Sequence, residues 1–327
     1  MRFAKAPAAA FVLTWSLASL AEARDPLLNV PVDCKLGDTC HIQQYTDSDP
    51  GPGAADYTCG PLSYDGHKGT DFALPSLAAA ARGVDVYPAA PGTVTGVRDG
   101  MEDVLQGRPD SPDVSDRECG NGVVLSHGDG WETQYCHMKR GSVKVRRGQR
   151  VTETTVLGQV GYSGMAEFPH LHLSVRQDGQ VVDPFNPTGA TACDSPPERT
   201  LWQDPPAYHP GGLISAGFGD APPDYDAVRA GTYDVARVPP SAPALVLWGF
   251  AYGGREGDVV HLSFGGPDGA VIDTTATLEK DQAQFYRAAG KRTPPGGWPA
   301  GLYRGEVTML RDGKEIDRRA VEVTVAR

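Results

Sequence analysis

Residues 169–176 read Pro-His-Leu-His-Leu-Ser-Val-Arg, and their strict alternation is that of a half-buried β-strand. Side chains two apart share a face, so His170, His172 and Ser174 fall on one side and Leu171, Leu173 and Val175 on the other. Such a strand presents two imidazoles from a rigid element, which suits metal binding or proton transfer. Taken alone, the motif reads equally well as a pair of surface histidines.

Working outward, Asp178-Gly179 follows the strand and supplies the positive φ angles of a tight turn. Upstream, residues 121–138 (NGVVLSHGDGWETQYCHM) read as a second hairpin closed at Gly128-Asp129-Gly130. Residues 85–97 (DVYPAAPGTVTGV) and 141–164 (GSVKVRRGQRVTETTVLGQVGYSG) add short apolar runs separated by glycine. With 40 Gly and 28 Pro among 327 residues, a mostly β chain of two domains is expected. Between the first two runs, the acid-rich stretch from Asp99 to Glu118 reads as a surface loop.

Residues 194–243 hold ten of the 28 prolines, which argues against a continuing sheet and marks a domain boundary. Beyond it, ALVLWGF, DVVHLSF, AVIDTTATL, GLYRGEVTML and EIDRRAVEVTV are strand-like, with Asp312-Gly313 turning between the last two. Their spacing suits an immunoglobulin-like β-sandwich. The expected layout is a signal peptide at 1–23, a cysteine-containing lead-in at 24–59, a catalytic core at 60–193, a proline-rich connector at 194–240 and the sandwich at 241–327. The lead-in carries no legible chemistry. The sandwich shows a β pattern and no site, and so reads as an interaction or positioning module whose removal (241–327) is expected to spare the chemistry of the core.

The balance of 30 basic against 41 acidic residues, net −11, opposes attraction to nucleic acid phosphates or anionic lipid. No nucleic acid partner is expected. The first residues combine Arg2 and Lys5 with an apolar stretch from Ala8 to Leu20 and the small-residue ending Ala21-Glu22-Ala23. This is the pattern of a secretory signal cleaved after Ala23, and its apolar core is too short for a transmembrane anchor. The chain is therefore expected in the periplasm or outside the cell. Six cysteines follow, an even number suited to three disulfides in an oxidising compartment. Cys34 and Cys40 are close in sequence, Cys119 and Cys136 lie near the open end of one expected hairpin, and Cys59 would then meet Cys193.

Two further motifs join the His-x-His strand. Residues 64–72, YDGHKGTDF, set an imidazole and a carboxylate four positions apart. Gly66 and Gly69 oppose a helix, and in an extended strand His67 and Asp71 would stand about 13 Å apart, so a bend at Gly69 must bring them together. The other motif is Tyr135-Cys136-His137, where alternation puts Tyr135 and His137 on one face. His67, Asp71 and His172 make a nitrogen, oxygen and nitrogen set suited to one Zn2+ with a fourth position open to water, leaving His137 and His170 as unligated partners. Neither a G-x-S-x-G elbow nor an HExxH helix is present. His127 reads as structural, and His41, His209 and His261 as surface or packing residues.

His-x-x-x-Asp, Tyr-x-His and His-x-His, in this order on β elements, together resemble the lysostaphin-type or LytM-like zinc endopeptidases over about residues 60–187. The likeness includes GYSG before PHLHL and the phrase GTVTGV. The resemblance implies zinc ligation by His67, Asp71 and His172, with His137 and His170 acting on the attacking water and the developing oxyanion. It further implies an antiparallel β core of the duplicated hybrid motif type and, as substrate, the peptide cross-links of bacterial peptidoglycan. A protein or wall partner is expected for the sandwich. Two competing expectations are a non-catalytic wall-binding or hydrolase-activating protein of the same fold, and a secreted peptidase acting on glycine-rich proteins.

Overall fold

The computed structural model describes residue 1 and residues 25–189, 193 and 197–327. The expected signal segment, after Met1, lies outside the described residues. Among those described, no helix is long and apolar enough to cross a membrane. The fold is mostly β and its sheets are antiparallel but for one short parallel pairing.

The first unit contains β1 (His41–Gln44), β2 (Thr70–Ala73), α1 (Leu77–Arg82), β3 (Asp85–Val86), β4 (Gly92–Arg98), β5 (Asn121–Gly128), β6 (Trp131–Met138), β7 (Arg150–Val151), β8 (Gly158–Gln159), β9 (His170–Gln177) and β10 (Gln180–Val181). Its main sheet runs β1-β2-β9-β6-β5-β4-β7 with β10 paired to β9, while β3 and β8 pair separately. The alternation of residues 170–175 is realised: Leu171, Leu173 and Val175 are at most 1% exposed and join Phe72, Val123 and Tyr135 in one core. Each such side chain contributes about 1.5–3 kcal/mol by leaving water. Asp129 and Gly130, then Asp178 and Gly179, have the paired positive φ angles of two-residue hairpin turns.

The second unit contains β11 (Gly212–Gly219), α2 (Tyr225–Ala230), β12 (Arg237–Val238), β13 (Ala244–Gly254), β14 (Val259–Gly266), β15 (Gly269–Thr277), β16 (Gln282–Arg292), β17 (Gly301–Arg311) and β18 (Lys314–Val325). A sheet ordered β11-β13-β16 faces one ordered β12-β18-β17-β14-β15. They share a core that includes Phe218, Leu247, Phe264, Val307 and Val323. β13 is buried along nearly its whole length because alternate residues serve two contacts: Leu245, Leu247 and Ala251 the sandwich core, Trp248, Phe250 and Tyr252 a second cluster with Ile214 and Val228.

Two sequence expectations change here. The proline-rich connector, whose prolines argued against a continuing sheet, holds a strand, since Gly212–Gly219 pairs along β13; the prolines cluster on either side of residues 212–219 and leave that stretch free to donate its ladder hydrogen bonds. The lead-in is likewise part of the main sheet through β1, whose Gln44 stands opposite Asp71. The three disulfides are Cys34–Cys40, Cys59–Cys193 and Cys119–Cys136. The acid-rich loop is tied down rather than free: Asp99 accepts from the backbone of Gly141, and Asp103 from those of Arg140 and Tyr162.

Candidate active site

Strand register builds most of the site. In the β2·β9 ladder Asp71 faces His172 directly and Ala73 faces His170, which puts the carboxylate and both imidazoles on one side of the sheet. Asp71 Oδ1 lies 2.8 Å from His172 Nδ1. His67 arrives from the bend before β2, with Nε2 at 3.2 Å from Asp71 Oδ2 and 3.2 Å from His172 Nδ1. The bend requires a glycine, because a Cβ at Gly69 would sit 2.4 Å from the Leu173 carbonyl oxygen and 2.7 Å from His172 Nε2.

His137 reaches the site by a different route from the one expected. Cys136 pairs with His172 and Tyr135 with Leu173, so regular alternation puts Tyr135 in the core and would send His137 there as well. Tyr135 does go inward, its hydroxyl accepting from the Ala89 N–H at 2.7 Å. His137 instead adopts φ +60° where the β5·β6 register slips, and this bulge turns its ring to within 4.6 Å of His170. The two residues therefore do not share a face. A positive φ on a non-glycine side chain is locally strained, and a hydrogen bond from His137 Nδ1 to the Ser163 carbonyl at 2.8 Å helps hold it. Ser163 stands next to Gly164, the end of the GYSG motif, where a Cβ would collide with the Glu118 carbonyl at 2.2 Å.

Each imidazole has one ring nitrogen engaged outside the site. His67 Nδ1 donates to the Tyr45 carbonyl, His137 Nδ1 to that of Ser163 and His170 Nδ1 to that of Phe168, while His172 Nε2 bonds Ser174 Oγ. The three carbonyls can only accept, so they set the tautomers of His67, His137 and His170 and leave each Nε2 with a lone pair for the site; the Ser174 hydroxyl can accept from His172 Nε2, which leaves His172 Nδ1 turned to Asp71. Sequence reasoning missed Tyr45 and Ser174 in these roles. Ser174 was legible in the His-x-His-x-Ser alternation; a backbone carbonyl leaves no signal.

The site's side chains are buried: His67, Asp71, His170 and His137 are 2%, 3%, 5% and 7% exposed. Burial pushes the Asp71 carboxyl up, but the charges of His67 and His170 and hydrogen bonds from His172 and His67 outweigh it, holding the group well below the carboxylate range. Burial opposes protonation of His67, yet the Asp71 carboxylate and the Tyr45 carbonyl raise its pKa. Burial first, then the neighbouring imidazoles, lower His137 well below the histidine range, and burial lowers His170.

His67, Asp71 and His172 offer donor atoms within 4.8 Å of one another and could hold a metal ion. Around a tetrahedral ion with bonds of about 2.0–2.1 Å, neighbouring donors stand about 3.3 Å apart. The observed 3.2, 3.2 and 2.8 Å are close to that spacing, and three converging lone-pair donors repel one another unless a cation or proton lies among them. Of the other histidines, His127 is structural, bonded to the Pro91 carbonyl and Thr133 Oγ1. His41 packs on Tyr252, and His261 bonds Asp273.

Residues 65–184 match Peptidase family M23, a stretch holding all five residues of the site. The match agrees with the resemblance carried by the motifs. Similar proteins include the peptidoglycan DD-endopeptidase ShyA of Vibrio cholerae, 30% identical over 117 residues, which are 36% of this chain and 22% of that protein. The DD-carboxypeptidase/endopeptidase Mpg of Neisseria meningitidis is 32% identical over 123 residues, 37% of this chain and 22% of that protein. A zinc-containing peptidase from Vibrio cholerae aligns at 25% identity and a TM-score of 0.33, covering 49% of this chain and 39% of that one. The chain thus spans 22% of the length of either curated relative.

Proposed function

We propose that the protein is an exported zinc metalloendopeptidase that hydrolyses peptide cross-links of bacterial peptidoglycan. One observation carries the reading: two histidines and a carboxylate converge while two further imidazoles, each oriented by a backbone carbonyl at Nδ1, stand beside them, His170 with its Nε2 3.7 Å from Asp71 Oδ1. His67 Nε2, Asp71 and His172 Nδ1 would hold the ion. When bound, zinc lowers the pKa of a coordinated water and polarises a carbonyl. The relatives named as peptidoglycan endopeptidases support the substrate class, and the signal-like first 23 residues and three disulfides support export to an oxidising compartment.

His137 and His170 supply the proton chemistry. Burial keeps both neutral near pH 7, so each Nε2 is available to accept a proton from the attacking water or, once protonated, to stabilise charge on the tetrahedral oxygen. Fixed Nδ1 bonds mean that neither ring must reorient between these tasks.

Purified peptidoglycan incubated with the zinc-loaded protein tests the reading. Hydrolysis is expected, lost on chelation and restored by zinc. His172→Ala should lose both metal and activity, whereas His137→Ala and His170→Ala should keep stoichiometric zinc and lose about 10²–10⁴-fold in rate. Zinc-replete protein that binds the wall without cutting it would instead support a binding or activating role. A glycine-rich protein cleaved in preference to the wall would redirect the substrate.

A further inference from the structure

A cleft of about 710 Å3 opens over Asp71, His137 and His170, and its sides come from both units. Tyr64, Met165 and Phe168 come from the first unit; facing them are α2 and residues Lys280–Gln284, where β15 turns into β16.

This second wall is held in register with the site. The buried Gln43 side chain donates to the Ala283 carbonyl at 3.0 Å and accepts from Gln284 Nε2 at 3.1 Å. The next residue, Gln44, is the ladder partner of Asp71. On the other flank the Arg229 guanidinium donates to the Glu167 carbonyl, three residues before His170, and lies over the Tyr225 ring. Arg108 pairs with Asp226 at 2.8 Å, tying the acid-rich loop to α2.

The wall carries two cations, Arg229 and Lys280, and among the described residues neither forms an ion pair. Besides Asp71 on the floor, two carboxylates share the lining. Glu167 stands outside ion-pair distance of both cations, and Asp281 is engaged by the Glu256 N–H at 2.8 Å. A half-buried guanidinium with N–H donors to spare suits a planar anion, and because neither Arg229 nor Lys280 is taken up by a neighbouring carboxylate, both stay available to one.

We infer that the C-terminal sandwich and α2 form the substrate-positioning wall of the active site, with Arg229 and Lys280 taking a free carboxylate of the bound peptide and so selecting which amide lies over the catalytic residues. The inference takes its substrate from the peptidase reading and goes beyond it. It assigns the sandwich a part in the site in place of a remote partner-binding role. Arg229 and Lys280 are positioning residues: they meet the substrate away from the reacting bond.

The test uses two defined cross-linked peptides, identical except that one has its free carboxylates amidated. Zinc-loaded wild type, Lys280→Gln, Arg229→Gln and Arg229→Lys are compared by steady-state kinetics and by calorimetric binding of the same peptides to His137→Ala backgrounds. Wild type should prefer the carboxylate peptide about tenfold, carried by KM rather than kcat. Lys280→Gln and Arg229→Gln should each lose most of that preference, and Arg229→Lys should keep part of it. No preference in wild type, or the same preference in both glutamine variants, overturns the inference. Calorimetry separates it from the peptidase reading. Tight, carboxylate-dependent binding without cleavage by any form upholds the wall and sinks the hydrolase; cleavage blind to the carboxylate does the reverse.

Discussion

Gly69 decides whether His67 and Asp71, four positions apart, can belong to one ligand set. Its lack of a side chain lets the chain bend beside the Leu173 carbonyl and the His172 ring, both rigid neighbours in the β2·β9 ladder. Gly69→Ala must displace one of them. Overpacking of this kind costs about 1–3 kcal/mol, and because the displaced group is either a proposed ligand or the strand bearing it, metal affinity should fall with stability. Zinc competition against a chromophoric chelator should show at least about a tenfold loss, alongside a lowered melting temperature of the metal-free protein. Unchanged affinity would mean that the ligands tolerate a wider bend than the structure shows. At this scale the sequence was readable where chemistry and periodicity coincide: His170, His172 and Asp71 announce themselves by type and spacing. His137 was nameable but not placeable, since a bulge depends on how β5 meets β6 and leaves no mark in the alternation of β6 itself.

Among elements, β9 and the hairpins at Asp129-Gly130, Asp178-Gly179 and Asp312-Gly313 were legible because turn residues with positive φ bracket strands of period two. β11 was masked by surrounding prolines, and β1 by its brevity and polar sequence, His-Ile-Gln-Gln, which acquires meaning only on pairing with β2. β1 also gives the contact between units a pH dependence. His41 packs on Tyr252 of β13, ring centroids 4.3 Å apart and tilted, and bonds Gln43, and burial lowers its pKa to about 4. Between that value and the unfolded value near 6.5, the unfolded chain binds more protons than the folded one, so this group's contribution to stability falls as pH drops through the window. From pH 7 to pH 5 the loss is about 2 kcal/mol. Urea titrations at both pH values should show wild type losing about that much more than His41→Gln. Equal losses would mean that His41 stays accessible to protons in the folded state.

Across the whole molecule, the cleft draws on four distant parts of the chain: Gln43 and Gln44, residues between 64 and 170, and the segments at 225–229 and 280–284. No local pattern reports which loop of one unit faces the floor of another, so the sandwich was legible as a fold and not as part of a site. The same interleaving changes where the chain can be cut. Removing residues 241–327, the boundary suggested by strand spacing, takes away β13 but leaves β11, whose Phe218 and Leu213 lie in the sandwich core, and α2, whose Val228 packs with Trp248 and Phe250. A chain ending at 240 should therefore expose unpaired strand edge and apolar surface and aggregate. A chain ending after His209 should stay soluble, because Trp202 belongs to the first core and Tyr208 is anchored on Asp56 at 2.8 Å. That shorter form should bind zinc through the intact His67, Asp71 and His172 and lose the preference for carboxylate-bearing peptides along with Arg229 and Lys280. Size-exclusion chromatography with zinc analysis of both forms decides the matter: if the chain ending at 240 were as soluble as the shorter one, residues 212–238 would fold with the first unit rather than with the sandwich.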